Sequence, residues 1–409
     1  MSSSITPTTA ITTTNSSSDY SLNNPFSPKK HISLHVRHLH LLPNAYQSAG
    51  ADAQRITLAY FALSAIDLLS GVPHDAARVD DEERREWRDW IWDRQVASGG
   101  FVGSPVLQSA KEAYSPSSVS IRGDLAQTYT ALLALGTLRD EEGLKTRLDK
   151  DALCALLSQC QQQDGSFRAS PEEQGSDVRF VFCAFAIAHL LGQDGWRAID
   201  LQKTLGYLGR CRTFDGAFGQ SPGEESHAGS TYCVLASLRL GGQLHTWLSP
   251  AEQQKTVHWL SHRQDVTTGG LAGRLNKETD VCYSFWVGAS LAILGHHDLL
   301  DASADVRWIL SAQSRVGGFG KVPDEPPDLL HSYLGLAALA LHAHDDEQDN
   351  ARLEADGPSE QHESVDAETR SVRNELGKSI QPLDAAINLR RESADWLRRT
   401  LRSSGRTAT

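Results

Sequence analysis

The sequence lacks the long apolar runs that membrane proteins need. No stretch reaches the roughly 18 consecutive apolar residues of a membrane-spanning helix, so we expect no membrane span. The first 25 residues have no apolar core and no cation before Lys29, which argues against a signal or transit peptide.

Cysteine is also scarce. The six cysteines include no CxxC pair, and their spacing fits no small disulfide-bonded domain. Most lie inside apolar helical patterns, as buried thiols commonly do. These features predict a cytoplasmic protein with reduced thiols.

Positive charge is in deficit. The chain has 39 Lys and Arg against 51 Asp and Glu, a net charge of −12. This balance argues against a nucleic acid or a membrane surface as partner. Any anionic ligand must therefore be met by a local cluster of cations.

Several segments fall outside the main folded unit, which we place at residues 28–342. Residues 1–27 are rich in Ser, Thr and Asn and are expected to form a disordered tail, and residues 343–377 an acidic disordered insert. Residues 378–402 are expected to form a C-terminal helix that packs on the main unit, followed by a polar tail at 403–409.

Two helix predictions lie at the edges of this unit. The segment His31–Leu42 carries four histidines, which we expect on a solvated face. The segment Leu383–Leu401 is amphipathic and is expected to be one continuous helix.

A glycine-containing turn recurs roughly every 50 residues and is the strongest architectural signal. In each copy the turn comes after a segment with the pattern of a charged helix and before a segment with the pattern of a more apolar helix. The glycines that mark the copies are Gly100, Gly165, Gly216, Gly270 and Gly318. Alternation of half-polar and apolar helices predicts an all-α fold of two concentric rings, an α-α barrel, with an open solenoid as the alternative.

The segment from Arg274 to Trp286 concentrates reactive side chains. Asp280 and Cys282 offer an oxygen and a sulfur ligand at the start of an apolar helix, which with one imidazole suit an open zinc site. They can converge if the helix begins between them. The alternative is that Asp280 only caps the helix and Cys282 is an apolar core residue.

Cations follow the later turns in a way that packing does not require. If the turns meet at one mouth of a barrel, these side chains point into one cavity. His227, Arg274, Lys277 and Tyr283 then form a cradle for an anion such as a diphosphate.

Four motifs carry a resemblance to a known family. They are DVRFVFC (177–183), DGAFGQ with ESHAGSTYC (215–220 and 225–233), R…DVCYSFW (274–286) and GGFGK…LLHSY (317–333). From about residue 31 to 342 the chain resembles the β subunits of protein prenyltransferases, and within them the geranylgeranyl type I branch.

This resemblance implies an α-α barrel that pairs with a separate prenyltransferase α subunit. It implies transfer of geranylgeranyl from geranylgeranyl diphosphate to the cysteine of C-terminal Cys-a-a-X tails of small GTPase-like proteins. By matching positions, it implies one zinc ion per chain held by Asp280, Cys282 and His331. It also implies diphosphate contacts from His227, Arg274, Lys277, Tyr283 and Lys321.

Further positions match the walls of the substrate channel in that family. The implied isoprenoid contacts are Thr57, Phe61, Phe182, Trp286 and Leu330, and the implied peptide contacts are Arg179, Phe180 and Asp124. Phe182 stands where the family usually has Tyr, and Asp124 where it has His. The second departure leaves the preference for the last peptide residue open.

Three positions bear on the branch. Thr57 stands where the farnesyl branch carries a bulky Trp, and Leu330 where that branch has Tyr. Lys321 replaces a magnesium-binding Asp of the farnesyl branch, so magnesium is not expected to be required.

Other functions stay open at this point. A farnesyl or Rab-type β subunit would share most of these motifs, and a helical-repeat scaffold would share the pattern without the chemistry. A terpene cyclase is disfavoured, because the one DDxxD match, at residues 345–349, lies in the acidic insert.

Overall fold

The computed structural model describes residues 25–47, 49–71, 79–104, 122–344 and 367–403. The predicted tail up to residue 24, the insert from 345 to 366 and the end from 404 lie outside the described residues. Across the described ranges no helix is long and apolar enough to cross a membrane.

Helices account for most of the described chain. They are α1 (Pro28–His40), α2 (Ala49–Asp52), α3 (Arg55–Leu68), α4 (Asp81–Trp92), α5 (Leu125–Thr137), α6 (Glu141–Thr146), α7 (Lys150–Cys160), α8 (Val178–Leu191), α9 (Gln193–Arg197), α10 (Leu201–Arg210), α11 (Ala228–Leu240), α12 (Leu244–Trp247), α13 (Pro250–Ser261), α14 (Val281–Leu294), α15 (Ala302–Ser311), α16 (Leu329–Ala343), α17 (Ala367–Gly377) and α18 (Arg391–Ser403). Short 3₁₀ turns lie at Asn44–Tyr46 and His297–Leu299. In this part of the chain the only sheet pairs β1 (Leu383–Asp384) with β2 (Leu389–Arg390).

The apolar helices form a closed inner ring. In the described chain these are α3, α5, α8, α11, α14 and α16, each packed on the next, and α16 packs back on α3. Their side chains are buried almost all round, which is why their sequences are apolar on every face. The predicted α-α barrel is therefore confirmed, and the open solenoid is excluded.

The glycine turns join the rings and close the outer one. Gly165 has φ +89°, and a Cβ there would lie 2.1 Å from the Lys203 carbonyl oxygen of the next outer helix. Gly317 in the last turn has φ +93° and makes the same approach to Lys30 of α1, where a Cβ would lie 2.2 Å from the carbonyl oxygen. Only glycine fits such left-handed, closely packed positions. The last repeat therefore seals against the first helix.

The expected solvated histidine face of α1 is wrong for two of its four histidines, while His38 is half-buried and His40 is exposed. His31 and His35 are fully buried, because α1 completes the outer ring. His31 Nε2 lies 3.0 Å from Gln313 Oε1, and its Nδ1 accepts a hydrogen bond from Gly318 N–H. Burial lowers the pKa of His31 to about 4, so it is neutral at physiological pH.

The C-terminal region also differs from its prediction. The single helix expected over Leu383–Leu401 is instead a short hairpin followed by α18, and α17 covers residues 367–377, which were expected to be part of the disordered insert. The hairpin forms because Asp384 accepts hydrogen bonds from the N–H groups of Ala386 and Ile387, and Asn388 adopts φ +53°.

The hairpin turn closes one end of the inner ring. Tyrosine hydroxyls from the inner helices donate hydrogen bonds to its carbonyl oxygens. The pairs are Tyr60 and Tyr333 to Asn388, Tyr129 to Ile387, and Tyr232 to Ala385. The turn therefore reaches inside the ring, while the residues that flank it, Gln381 and Arg390, bond to Leu68 and Asp67 at the C-terminal end of α3.

Candidate active site

The N-termini of the inner helices meet at the other end of the barrel, because each follows an outer helix that runs in the opposite direction. Each of these N-termini from α5 onward is capped by a polar side chain that accepts a backbone N–H. The caps are Asp124, Asp177, His227, Asp280 and Asp328. The repeat thus places reactive side chains around one mouth.

Three potential metal ligands converge on this mouth. The ligand atoms of Asp280, Cys282 and His331 all lie within 4.8 Å of one another. Asp280 Oδ1 is 3.2 Å from His331 Nε2 and also accepts the Cys282 N–H at 2.9 Å. The carboxylate therefore caps α14 and faces the imidazole at once, so both interpretations of Asp280 hold geometrically.

Asp328 holds His331 from the other side. Its carboxylate lies 2.5 Å from His331 Nδ1 and also caps α16 through the His331 N–H. This contact fixes the ring orientation and leaves Nε2 as the ligand atom. Asp328 is not among the residues predicted from the sequence, although an Asp three residues before a His at a helix start indicates a possible partner for that His.

The charge of this cluster favours a cation. Burial lowers the pKa of His331, but hydrogen bonds to Asp280 and Asp328 outweigh burial and raise the pKa to about 9. Burial and the neighbouring Asp280 carboxylate raise the pKa of Cys282 well above its usual value. The raised pKa of His331 means that the two carboxylates stabilise positive charge at this site. Its oxygen, sulfur and nitrogen donors therefore suit a divalent zinc ion.

A cavity of about 460 Å³ adjoins the ligands and is lined by the proposed diphosphate residues Arg274, Lys277, Tyr283 and Lys321, together with Asp280. Arg274 pairs with Glu225, and both side chains are partly exposed. The Lys277 and Lys321 side chains are exposed at the same rim. The cations predicted from separate repeats therefore share one cavity wall.

His227 is not one of the lining residues but contacts this wall through Tyr283. Its Nε2 lies 3.1 Å from the Tyr283 hydroxyl, while its Nδ1 accepts the N–H groups that cap α11. Burial and the nearby Arg274 lower the pKa of His227, so the ring is neutral and Nε2 can carry the hydrogen. Burial, with Cys282 and Asp280, raises the pKa of Tyr283 to about 12, which keeps its hydroxyl proton.

Aromatic rings line the inner surface below the mouth. Phe182 packs between Tyr129 and Tyr232, with ring centroids 5.2 and 5.5 Å away, and Trp286 lies 5.0 Å from Tyr232. Phe61 contacts Tyr333 at 5.6 Å.

The remaining predicted channel residues differ in position. Thr57 lies one turn before Phe61 on α3 and is half-buried. Leu330 begins α16 beside His331 and is 38% exposed, so it lies at the mouth and not in the interior.

The predicted peptide contacts also lie near the mouth. Arg179 is bound by Asp177, with Nη2 2.7 Å from Oδ2, and its guanidinium lies over Phe180. Gln220 donates a further hydrogen bond to Asp177. Asp124 caps α5, and burial raises its pKa to about 6.

The sequence matches a described family over most of its length. The profile of the Prenyltransferase alpha-alpha toroid domain covers residues 26–389. The chain belongs to the prenyltransferase α-α toroid family.

Two relatives are similar to this toroid chain over most of their own length. The Geranylgeranyl transferase type-1 subunit beta of Arabidopsis thaliana is 34% identical over 338 residues, 77% of this chain and 85% of that protein. The subunit of the same name from Dictyostelium discoideum is 34% identical over 325 residues, 75% of this chain and 88% of that protein. These similarities confirm the predicted resemblance and show protein prenyltransferase activity.

A solved structure shares the toroid fold. Candida albicans protein geranylgeranyltransferase-I complexed with GGPP superimposes with a TM-score of 0.74 at 23% identity. The superposition covers 93% of this chain and 100% of that one.

Proposed function

We propose that this chain is the catalytic β subunit of a zinc-dependent protein geranylgeranyltransferase type I. It pairs with a prenyltransferase α subunit and modifies the cysteine of C-terminal Cys-a-a-X tails, with X often Leu, on small GTPase-like proteins. The observation that carries the proposal is the convergence of Asp280, Cys282 and His331 beside a cation-lined cavity.

The ligand set leaves room for a substrate. Asp280, Cys282 and His331 would hold the zinc ion with three protein donors, the number typical of catalytic sites, whereas structural sites use four. Zinc bound here supplies Lewis acidity that lowers the pKa of an incoming cysteine thiol. Asp328 keeps the His331 ring oriented for this role.

The cavity residues act on the leaving group. The thiolate sulfur forms a bond to C1 of the isoprenoid, and the bond from C1 to the diphosphate oxygen breaks with its electron pair leaving on the diphosphate. Arg274, Lys277 and Lys321 face that developing charge, and His227 and Tyr283 offer hydrogen-bond donors. The positive ends of the inner-helix dipoles point the same way.

The aromatic inner wall takes the lipid. Phe61, Phe182 and Trp286 provide apolar surface, and Thr57 leaves space that a bulkier residue would fill. Arg179, with Phe180 and Asp124, lies where the peptide terminus enters.

The test is co-expression with a prenyltransferase α subunit, followed by a transfer assay with farnesyl and geranylgeranyl diphosphates in competition for one Cys-a-a-Leu peptide. We expect geranylgeranyl transfer to dominate. Dominant farnesyl transfer would move the assignment to the farnesyl branch. No transfer to this peptide, with transfer to a Rab-type substrate in a parallel assay, would move it to the Rab branch.

A further inference from the structure

A chain of hydrogen bonds ties Thr57 to the neighbouring inner helix. Gln127 Nε2 donates to Thr57 Oγ1 at 3.0 Å and to Gln54 Oε1 at 2.7 Å. Thr57 Oγ1 also lies 3.3 Å from Thr130 Oγ1, which itself donates to the Ala126 carbonyl at 2.9 Å. Because Thr130 uses its proton on Ala126, the Thr57 hydroxyl is the donor in the pair with Thr130.

The Thr57 hydroxyl is therefore fully engaged on the α5 side. It accepts from Gln127 and donates to Thr130, and both partners lie on α5. Threonine in a helix otherwise divides between two χ1 rotamers, since its hydroxyl can also bond the carbonyl one turn earlier. The amide of Gln127 selects one of them and so fixes where the methyl group of Thr57 lies.

Gln127 itself does not reach the channel. The residue is 2% exposed, and its Oε1 is buried with no hydrogen-bond partner among the described residues. An unsatisfied buried carbonyl oxygen costs folding free energy. An apolar side chain of similar length at this position would avoid that cost. The presence of glutamine therefore favours a role through the N–H bonds to Thr57 and Gln54.

We propose that Gln127 is a positioning residue for isoprenoid chain length, which acts by holding the Thr57 hydroxyl against α5 and its methyl group at the channel wall. The proposal rests on the proposed function, because it needs Thr57 in the lipid channel. Loss of the Gln127 amide frees the second rotamer of Thr57 and reshapes the wall where the lipid passes.

The experiment uses the heterodimer with the α subunit and measures the ratio of kcat/KM for geranylgeranyl over farnesyl diphosphate. We expect Gln127→Leu to lower this ratio roughly 3- to 10-fold, the value of one net hydrogen bond. Gln127→Met is the second variant, in case the leucine does not fold. The midpoint of thermal unfolding checks that each variant is folded.

A double-mutant cycle separates positioning from general packing. Thr57→Val removes the hydroxyl that Gln127 holds, and its own ratio is the reference for the second arm of the cycle. Adding Gln127→Leu to Thr57→Val should then change nothing. As a matched control, Gln161→Leu removes a similar pair of hydrogen bonds, to Asp200 and Thr204 on an outer helix, and should leave the ratio unchanged.

The outcomes distinguish this proposal from the assignment beneath it. A wild-type enzyme that prefers the farnesyl lipid overturns both. A wild-type enzyme that prefers the geranylgeranyl lipid, with the same ratio in Gln127→Leu or an equal loss in the Thr57→Val background, overturns only the role of Gln127.

Discussion

Asp280 shows how one side chain can serve the fold and the site together. A carboxylate has several lone pairs, so capping the Cys282 N–H does not prevent contact with His331. The sequence predicted the three ligands from their types and from resemblance. Asp328 could not be predicted as the partner of His331 in the same way, because an Asp that caps a helix needs no further role.

The zinc prediction can be checked on purified heterodimer. Cys282→Ala removes the sulfur donor and should lower the bound zinc from one ion per chain to a small fraction of that, as measured by elemental analysis. Cys233→Ala on the adjacent inner helix is the control, because Cys233 is 7% exposed against 8% for Cys282. Full zinc retention in Cys282→Ala would remove this residue from the site.

The cation cradle predicts a specific kinetic defect. Arg274→Ala and Lys277→Ala should each slow single-turnover transfer by about 2–4 kcal/mol of activation free energy, with little change in peptide affinity, because they face the leaving diphosphate. Lys203→Ala is the control, because it removes an exposed lysine on an outer helix, away from the cavity. Wild-type single-turnover rates in both cradle variants would exclude the role.

Thr57 carries the prediction on lipid length. Thr57→Trp should reverse the preference toward farnesyl diphosphate, because an indole fills the volume of the last isoprene unit, whose burial is worth a few kcal/mol at roughly 0.8 kcal/mol per carbon group. Thr57→Ser keeps a small hydroxyl side chain and should keep the geranylgeranyl preference. A folded Thr57→Trp enzyme that still prefers the longer lipid would place Thr57 outside the channel.

At the scale of helices and turns, the periodic pattern predicted an apolar helix after each glycine turn, and these helices are α5, α8, α11, α14 and α16 of the inner ring. It failed where tertiary contacts decide. The buried face of α1 could not be inferred, because its partner Gln313 lies 282 residues later in the sequence and meets α1 only when the ring closes. The hairpin at Leu383–Arg390 was also missed, since its amphipathic pattern matched a helix while Asp384 and Asn388 set a turn.

Gly317 offers a test of how the turns hold the outer ring. Gly317→Ala should cost at least 1–3 kcal/mol of stability, roughly the range for such backbone strain, and lower the midpoint of thermal unfolding. Gly206→Ala, within α10 and with nothing within 4 Å of the added carbon, should instead be stabilising. Equal midpoints for the two variants would show that the turn tolerates a side chain.

At the scale of the whole molecule, the protein and its proposed diphosphate substrate both carry net negative charge. The net charge is −12, yet Arg274, Lys277 and Lys321 gather at one cavity. The composition argued against nucleic acid and called for a local cluster of cations around any anionic ligand, and the closed ring explains why residues from separate repeats meet. These cations therefore lie where the proposed leaving group would form.

This charge arrangement predicts that magnesium is not needed. The zinc-loaded heterodimer should react at the same rate with and without added magnesium, because the Lys321 ammonium neutralises the diphosphate. Lys321→Asp should be slow without magnesium and recover when magnesium is added. A strong magnesium activation of the wild-type enzyme would contradict the role of Lys321.

The seal between the last glycine turn and α1 has a consequence for biosynthesis. Residues 31 and 313 must meet before the ring exists, and a contact so distant in sequence raises contact order and slows folding. While the ribosome is still adding the later repeats, the earlier ones can only stack with an apolar edge uncovered. We therefore expect the nascent chain to depend on chaperones or on its partner subunit until the final turn emerges, and the metal ligands to come together last of all.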